Sequence, residues 1–207
     1  MSNKKIYIVR HAQTEFNRLG IVQGSGVDAP LNDWGRQQAS AFYECYKDIA
    51  FEVVISSKLI RTHQTVEGFI ASGIPWEQHA TINEMGWGVH EGKKSTPEAH
   101  QEYKDMIAQW TKGNYEAKLE GGESAAELSA RMNQFITHIK GRSEKKILVC
   151  SHGRAMRCMM ALLKNDPLYR MEEYKHSNTG LFIVDYWDGS FQFQLENDQT
   201  HLELIKV

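Results

Sequence analysis

Three short apolar runs in this chain end in polar groups that a turn alone does not require. Ile6 to Val9 stops at Arg10-His11, Phe51 to Ile55 stops at Ser56-Ser57 with Arg61 close behind, and Lys146 to Ser151 stops at His152-Gly153. Read as strands of one open α/β sheet, the runs deliver these groups to a single crevice, because ligands of such sheets bind beyond the carboxyl ends of the strands. Two histidines and two arginines then converge, and the helices that follow aim their N-terminal amides at the same place. An anion is favoured there. A neutral imidazole is a competent nucleophile toward phosphorus, while two guanidiniums and a second imidazolium can hold the equatorial oxygens as charge develops. The expected chemistry is phosphoryl transfer through phosphohistidine. Its leaving alkoxide needs a proton, and Glu84, in the irregular stretch Asn83-Glu84-Met85-Gly86-Trp87-Gly88, is the carboxyl placed to give it. Screening by Trp87 would keep such a group protonated longer.

The elements that must position these groups follow from periodicity. Ile6 to Val9, Phe51 to Ile55 and Lys146 to Ser151 lack polar alternation, as strands buried on both faces do. Helical spacing runs over Leu31–Lys47 with Asn32 as N-cap, over Lys58–Ala71, from Thr96-Pro97-Glu98 to about Thr111, and over Arg154–Lys164. Ser124-Ala125-Ala126-Glu127 is a capping box ahead of Leu128, Met132, Phe135, Ile136 and Ile139. Leu181–Trp187 and Ser190–Leu195 flank Asp188-Gly189, a two-residue hairpin signal. The expected fold is α/β: a three-layer α/β/α sandwich whose mostly parallel sheet has an antiparallel edge strand. A single domain over 1–207 is expected, with a helical insertion at about 93–121 that can serve as a lid.

Of the 207 residues 41% are hydrophobic and 24% charged, near the globular average, which argues against collagenous, coiled-coil or disordered chains. A net charge of −2 with scattered basic residues disfavours nucleic acid as a partner. The longest purely apolar run, Cys158 to Leu163, is far short of the roughly 20 residues of a membrane helix, and no signal-peptide core follows Lys4-Lys5. No membrane association and a cytoplasmic location are expected. Cys45, Cys150 and Cys158 are read as reduced core thiols.

Ile8-Val9-Arg10-His11-Ala12-Gln13-Thr14-Glu15-Phe16-Asn17 resembles the Arg-His-Gly-Glu/Gln-x-x-x-Asn signature of the histidine phosphatase superfamily, in its phosphoglycerate-mutase-like branch. Five further blocks follow in that branch's order: Gln23-Gly24 with Pro30 to Ala39, Ser56 to Thr65, Glu84 to Gly92, Gly121 to Ser124, and Val149 to Gly153. The similarity spans residue 6 to about 180. It implies His11 as the phosphorylated nucleophile, Arg10, Arg61 and His152 as the phosphate pocket, and Glu84 as proton donor. Thr14, Asn17, Gln23, Gly24 and Gly153 are implied in binding substrate, while His63 and Asn178 lie near family binding positions. Ala12 departs from the usual glycine, which strains the site if that backbone needs positive φ.

Competing readings are blander. No two histidines lie at i,i+3 or i,i+4 and no Cys-His cluster accompanies them, so no metal is expected. Gly24-Ser25-Gly26 follows no strand and reads as loop, not as a dinucleotide fingerprint. His63, His79, His100, His138 and His201 read as surface or core residues; Trp87, Tyr103, Met106 and Trp110 as core rather than substrate wall. The sequence therefore points to a hydrolase of small phosphomonoesters that needs no cofactor. The alternatives are a cofactor-dependent phosphoglycerate mutase, whose larger insertion this chain lacks, and a pseudoenzyme that binds phosphorylated ligands. The hairpin near Leu195 offers an edge for a homodimer.

Overall fold

The computed structural model describes residues 3–205. Its six strands are β1 (Lys4–Arg10), β2 (Val53–Ser56), β3 (Trp76–Gln78), β4 (Lys146–Ser151), β5 (Leu181–Trp187) and β6 (Ser190–Asp198), arranged β3-β2-β4-β1-β5-β6. Five of them point the same way and β5 alone runs against them, so that β3, β2, β4 and β1 pair in parallel and β5 pairs antiparallel with β1 and β6. The helices are α1 (Glu15–Leu19), α2 (Asp33–Tyr46), α3 (Ile60–Ala71), α4 (Pro97–Thr111), α5 (Ala125–Gly141) and α6 (Gly153–Leu163).

Alternation along each buried strand builds the three layers. Ile6 and Ile8 of β1, with Val53, Ile55, Ile147 and Val149, pack against α5 and α6 through residues such as Leu128, Met132, Phe135, Met156 and Met160. Tyr7 and Val9, with Val54, Leu148 and Cys150, face the other way onto Phe42 of α2 and Val66 and Phe69 of α3. Side chains of successive strand residues point to opposite faces, so a strand apolar throughout needs a helical layer on each side. The sandwich expected from the sequence is the one observed. Asp188 and Gly189 both have positive φ, 48° and 80°, which suits the twist of a two-residue hairpin and joins β5 to β6.

Local signals place the helix starts. Asn32 and Thr96 accept from Gly35 N and Ala99 N, and Ser124 with Glu127 forms a reciprocal capping box. Two elements were not anticipated. β3 has three residues, two of them polar, and α1 has five; neither is long enough to show a period. Between residues 93 and 121 the chain holds one helix, α4, and an irregular return in which Trp110 Nε1 donates to Ala117 O at 2.8 Å. Met106 and Trp110 are core, as expected; Cys45 is not, because it lies on the exposed side of α2 while Cys150 and Cys158 are buried. Among the described residues no helix is long and apolar enough to cross a membrane.

Register brings the chemistry together. Arg10 pairs with Ser151 and Ser56 with Cys150, so β1, β4 and β2 end side by side. The ladder continues one step: His11 N donates to Ser151 O (3.0 Å) and Ser57 N to Cys150 O (3.3 Å). Because the Ser124 hydroxyl is fully buried and occupied by Glu127 N (3.1 Å), Ser124→Ala should cost about 1 kcal/mol. A urea titration should show the midpoint fall with no change in m-value.

Candidate active site

His11 is buried at the end of β1. Its Nδ1 lies 2.7 Å from Ala12 O, and since a carbonyl only accepts, Nδ1 carries the proton and Nε2 keeps its lone pair. The backbone is held as firmly: His11 O accepts from Asn178 Nδ2 (3.0 Å) and Ala12 N donates to Thr65 Oγ1 (2.9 Å). Ala12 has no positive φ, so the alanine brings no backbone strain. It fits a fully buried pocket with Leu31 and Ala39.

His152 follows β4, its ring centroid 5.1 Å from that of His11. Arg61 Nε donates to its Nδ1 (3.2 Å), so its Nε2 carries the proton and lies 2.7 Å from Ser57 Oγ. Arg61 is itself fully buried, with Nη1 on Val27 O (2.7 Å) and Nη2 on Gly24 O (3.3 Å). Arg10 differs from it. No side-chain hydrogen bond of Arg10 is found among the described residues, and its buried Nε has no acceptor. Such a guanidinium lacks a hydrogen-bonded partner, and only the charge of the Glu84 carboxylate offsets its burial.

The electrostatics agree. Burial, and then Arg61 and Arg10, hold the His11 pKa well below the usual histidine range. His152 is lowered in the same way, by burial, Arg61 and His11. Arg10 falls to about 10 through burial, opposed by Glu84 and reinforced by Arg61 and Arg157. Without an anion, His152 is therefore a neutral imidazole that accepts from Arg61.

Glu84 is almost fully buried, and its carboxylate caps α6. Oε1 accepts from Met85 N (2.8 Å) and Ala155 N (3.0 Å), and Oε2 from Arg154 N (3.1 Å). Two expectations change here. The amides at the start of α6 are spent on Glu84 rather than left for a ligand, and at the start of α3 Leu59 N and Ile60 N are spent on Ser57 Oγ and Asp28 Oδ1. Positive charge in the crevice comes from side chains, not from free helix ends. Nor is Trp87 the partner of Glu84, since its ring packs on Arg154 (5.6 Å) and Tyr103 (5.9 Å).

The remaining implied residues shape the rim. Thr14 and Asn17 form a capping box on α1, and Thr14 Oγ1 also takes Gln23 Nε2 (2.7 Å). Asn17 Oδ1 accepts from Asn178 Nδ2 (3.2 Å), which ties this loop to the one behind His11. A Cβ on Gly24 would stand 1.8 Å from Glu91 Oε1, and one on Gly153 2.7 Å from the His176 ring. At Gly24 the Met85 carbonyl, 2.8 Å from that Cβ, also blocks a side chain, while at Gly153 the His176 ring would have to move. His63 is not in this group; it stacks on Trp76 at 4.6 Å.

Arg131, on α5, was not singled out from the sequence because it reads as the polar face of an amphipathic helix. It donates to Thr81 O and Asn83 O (both 2.8 Å), Glu84 O (3.2 Å), and Glu123 Oε1 and Oε2 (2.6 and 2.8 Å). All five guanidinium donors are used, three of them on the segment that carries Glu84. His176, also unforeseen, presses on Gly153 and has a pKa of about 3, lowered by burial and then by Arg10, Arg157 and Arg154. Away from the crevice, ligand atoms of Glu77, His79 and His138 lie within 4.8 Å of one another. Arg142 donates to Glu77 (2.7 and 2.9 Å) and lies 2.9 Å from His138 Nε2, so a guanidinium already supplies the cation there.

A strand-end histidine pair flanked by two arginines, with a buried carboxylate nearby, on this sheet order, defines an α/β protein whose crevice at the carboxyl edge of the sheet suits an anion. The chain belongs to the histidine phosphatase superfamily (branch 1), whose family model matches residues 6–199. It is 30% identical over 210 residues to a probable phosphoglycerate mutase GpmB of Yersinia pestis, covering 97% of this chain and 95% of that relative. Its fold is shared with a putative alpha-ribazole-5'-P phosphatase from Escherichia coli (TM-score 0.84, 22% identity, 95% of this chain and 97% of that one). It is shared too with a phosphoserine phosphatase from Entamoeba histolytica solved with 3-phosphoglyceric acid (TM-score 0.81, 23% identity, 96% and 99%).

Acid should unfold the protein through these histidines. His11, His152 and His176 have depressed pKa values when folded and an ordinary value near 6.5 when unfolded, so unfolding takes up protons as pH falls through about 6.5. Stability should be fully present above that value and decline continuously below it. Urea midpoints at pH 7 and pH 5 should differ in the wild type and differ less in His11→Ala; equal differences would refute the assignment.

Proposed function

We propose that this chain is a metal-independent phosphomonoester hydrolase that works through phospho-His11. The observation that carries the reading is the pairing of a neutral, rigidly held imidazole, whose Nε2 lone pair is unclaimed, with Arg10, whose guanidinium has no protein acceptor. A phosphoryl group supplies what both lack. In the first step His11 Nε2 forms a bond to phosphorus as the P–O bond to the alcohol breaks in line, with Arg10, Arg61 and His152 around the equatorial oxygens. A dianion between these groups favours protonated His152, so the second imidazolium forms when substrate binds.

Glu84 gives its proton to the leaving oxygen. Oε2 carries one amide bond and keeps a lone pair for that proton, while the amides of Met85, Arg154 and Ala155 stabilise the charge left behind. In the second step the same carboxylate takes a proton from water as that water attacks phosphorus and His11 leaves. Thr14, Asn17, Gln23, Gly24 and Gly153 shape the rim, and the substrate is a small phosphomonoester. Mutase chemistry shares the phosphoenzyme and is favoured by the name of the Yersinia relative.

Phosphate release from a panel of phosphomonoesters, with and without 2,3-bisphosphoglycerate, separates the two. Release without the bisphosphate is expected; conversion of 3-phosphoglycerate only in its presence would mean a mutase. His11→Ala should lower turnover by at least a thousandfold with circular dichroism unchanged and no phosphoenzyme trapped by acid quench, and a chelator should leave the wild-type rate unaltered. Zinc or magnesium restoring a chelated loss would refute the metal-free mechanism.

A further inference from the structure

Two spaces flank the segment that carries Glu84, and their charges bear on which alcohol can leave. The larger, about 530 Å³, is lined by residues that include Asn83, Glu84, Gly86, Glu123, Glu127 and Arg131. Its single guanidinium has no donor to spare, because Arg131 gives all five to carbonyls and to Glu123. Glu123 and Glu127 add carboxylates. An acidic substituent entering this space would meet negative charge and no free cation.

The smaller space, about 230 Å³, has a mostly apolar wall of Val22, Trp87, Ala99, Tyr103 and Leu119, with His90, Ser95 and His100 as its polar members and, among the described residues, no arginine or lysine. Two of its segments adjoin the site: Val22 adjoins Gln23, and Trp87 lies three residues beyond Glu84 and stacks on Arg154, whose amide bonds Glu84 Oε2. The nearest guanidinium, Arg154, is stacked among Trp87, Tyr103 and Trp110 at 5.6, 5.8 and 5.7 Å and is hydrogen-bonded to Glu172 and the Tyr103 hydroxyl. Arg157 shares Glu172 through Nη1 (2.9 Å), and His90 lies 2.9 Å from a Glu102 carboxylate oxygen. Two arginines and a tyrosine hydroxyl converging on one carboxylate are what a substrate acid would need, and Glu172 already fills that cradle.

On the reading of the site as a phosphomonoesterase, we propose that the leaving alcohol is uncharged and apolar, seated against Trp87 and Tyr103 in the smaller cavity, with Glu172 barring an acidic group. Aromatic walls reward an apolar ring, and a buried carboxylate without a cation is penalised.

The test compares three esters of aliphatic alcohols, so that leaving-group basicity is similar: 2-phenylethyl phosphate, glycerol 3-phosphate and 3-phosphoglycerate. In the wild type kcat/KM should be at least tenfold higher for the phenylethyl ester than for 3-phosphoglycerate. Leu119→Trp, which fills the cavity, should cut the phenylethyl rate about tenfold relative to glycerol 3-phosphate; Ala99→Leu fills it from α4 should that variant not fold. Glu172→Gln should raise the relative rate for 3-phosphoglycerate about tenfold. A wild-type preference for 3-phosphoglycerate overturns the assignment, and its loss in Arg157→Met would show that Arg157 takes the acid instead. Cavity-filling variants that fold and leave the ester ratios unchanged overturn it as well. If no ester is hydrolysed and His11 takes no phosphoryl group, the reading of the site fails and this assignment with it; a phosphoenzyme formed best from 3-phosphoglycerate sinks the assignment alone.

Discussion

Arg10 and Arg61 are brought within electrostatic reach of each other at the carboxyl edge of a sheet buried on both faces, and most of the surrounding structure answers that constraint. Like charges in a low-dielectric interior repel strongly and are costly to desolvate. The two arginines meet the cost differently. Arg61 is held by Gly24 O, Val27 O and His152 Nδ1, acceptors that carry no formal charge. Among the described residues Arg10 has no hydrogen-bond acceptor; burial first, and then the neighbouring arginines, lower the pKa of His11 and His152, as burial lowers that of Arg10. Burial and the positive field thus act in the same direction on the imidazole of His11, and the same field favours an anion.

That field would be weakened if carboxylates were free to approach it, and the fold restrains them. Glu84 is tied to the start of α6, with its loop clamped from α5 by Arg131 and Glu123. Glu172 is taken up by Arg154 and Arg157. Glu91 is turned to the amides of Gly26 and Trp87. Each has donors of its own, so none hydrogen-bonds Arg10, and only the charge of Glu84 offsets its burial. The glycines at 24 and 153 follow from the same crowding, since they stand where Glu91 and His176 press closest.

Much of this was legible in the sequence, for a physical reason. Residues that end buried strands announce themselves because the apolar run before them is unbroken, so Arg10-His11, Ser56-Ser57 and Ser151-His152 could be placed at one edge without knowledge of side-chain geometry. Caps were equally plain, because Asn32, Thr96 and Ser124 act on amides three residues away. What depended on long-range partners was not. Arg131 looks like any charge on a helix face until Thr81, Asn83 and Glu84 arrive beside it, and β3 is too short to show alternation. The neutral resting state of His152 was not legible either, because it follows from burial first and from the approach of Arg61 second. Cys45 looked like core by composition alone; the rotation of α2 put it outside.

The helix ends offer the sharper lesson. An α6 that begins immediately after His152 would, by the dipole argument, present free amides to a phosphate. Glu84 takes two of them instead. This exchange suits a reaction in which charge moves: amides committed to the phosphoryl group would stabilise substrate and transition state alike, whereas amides committed to Glu84 strengthen as it gives up its proton. On the proposed mechanism, binding rests with the arginines and proton transfer with Glu84 and the helix it caps. The fixed dipoles would then favour a step in the reaction rather than a resting anion, dividing attraction from catalysis between two sets of donors around one histidine.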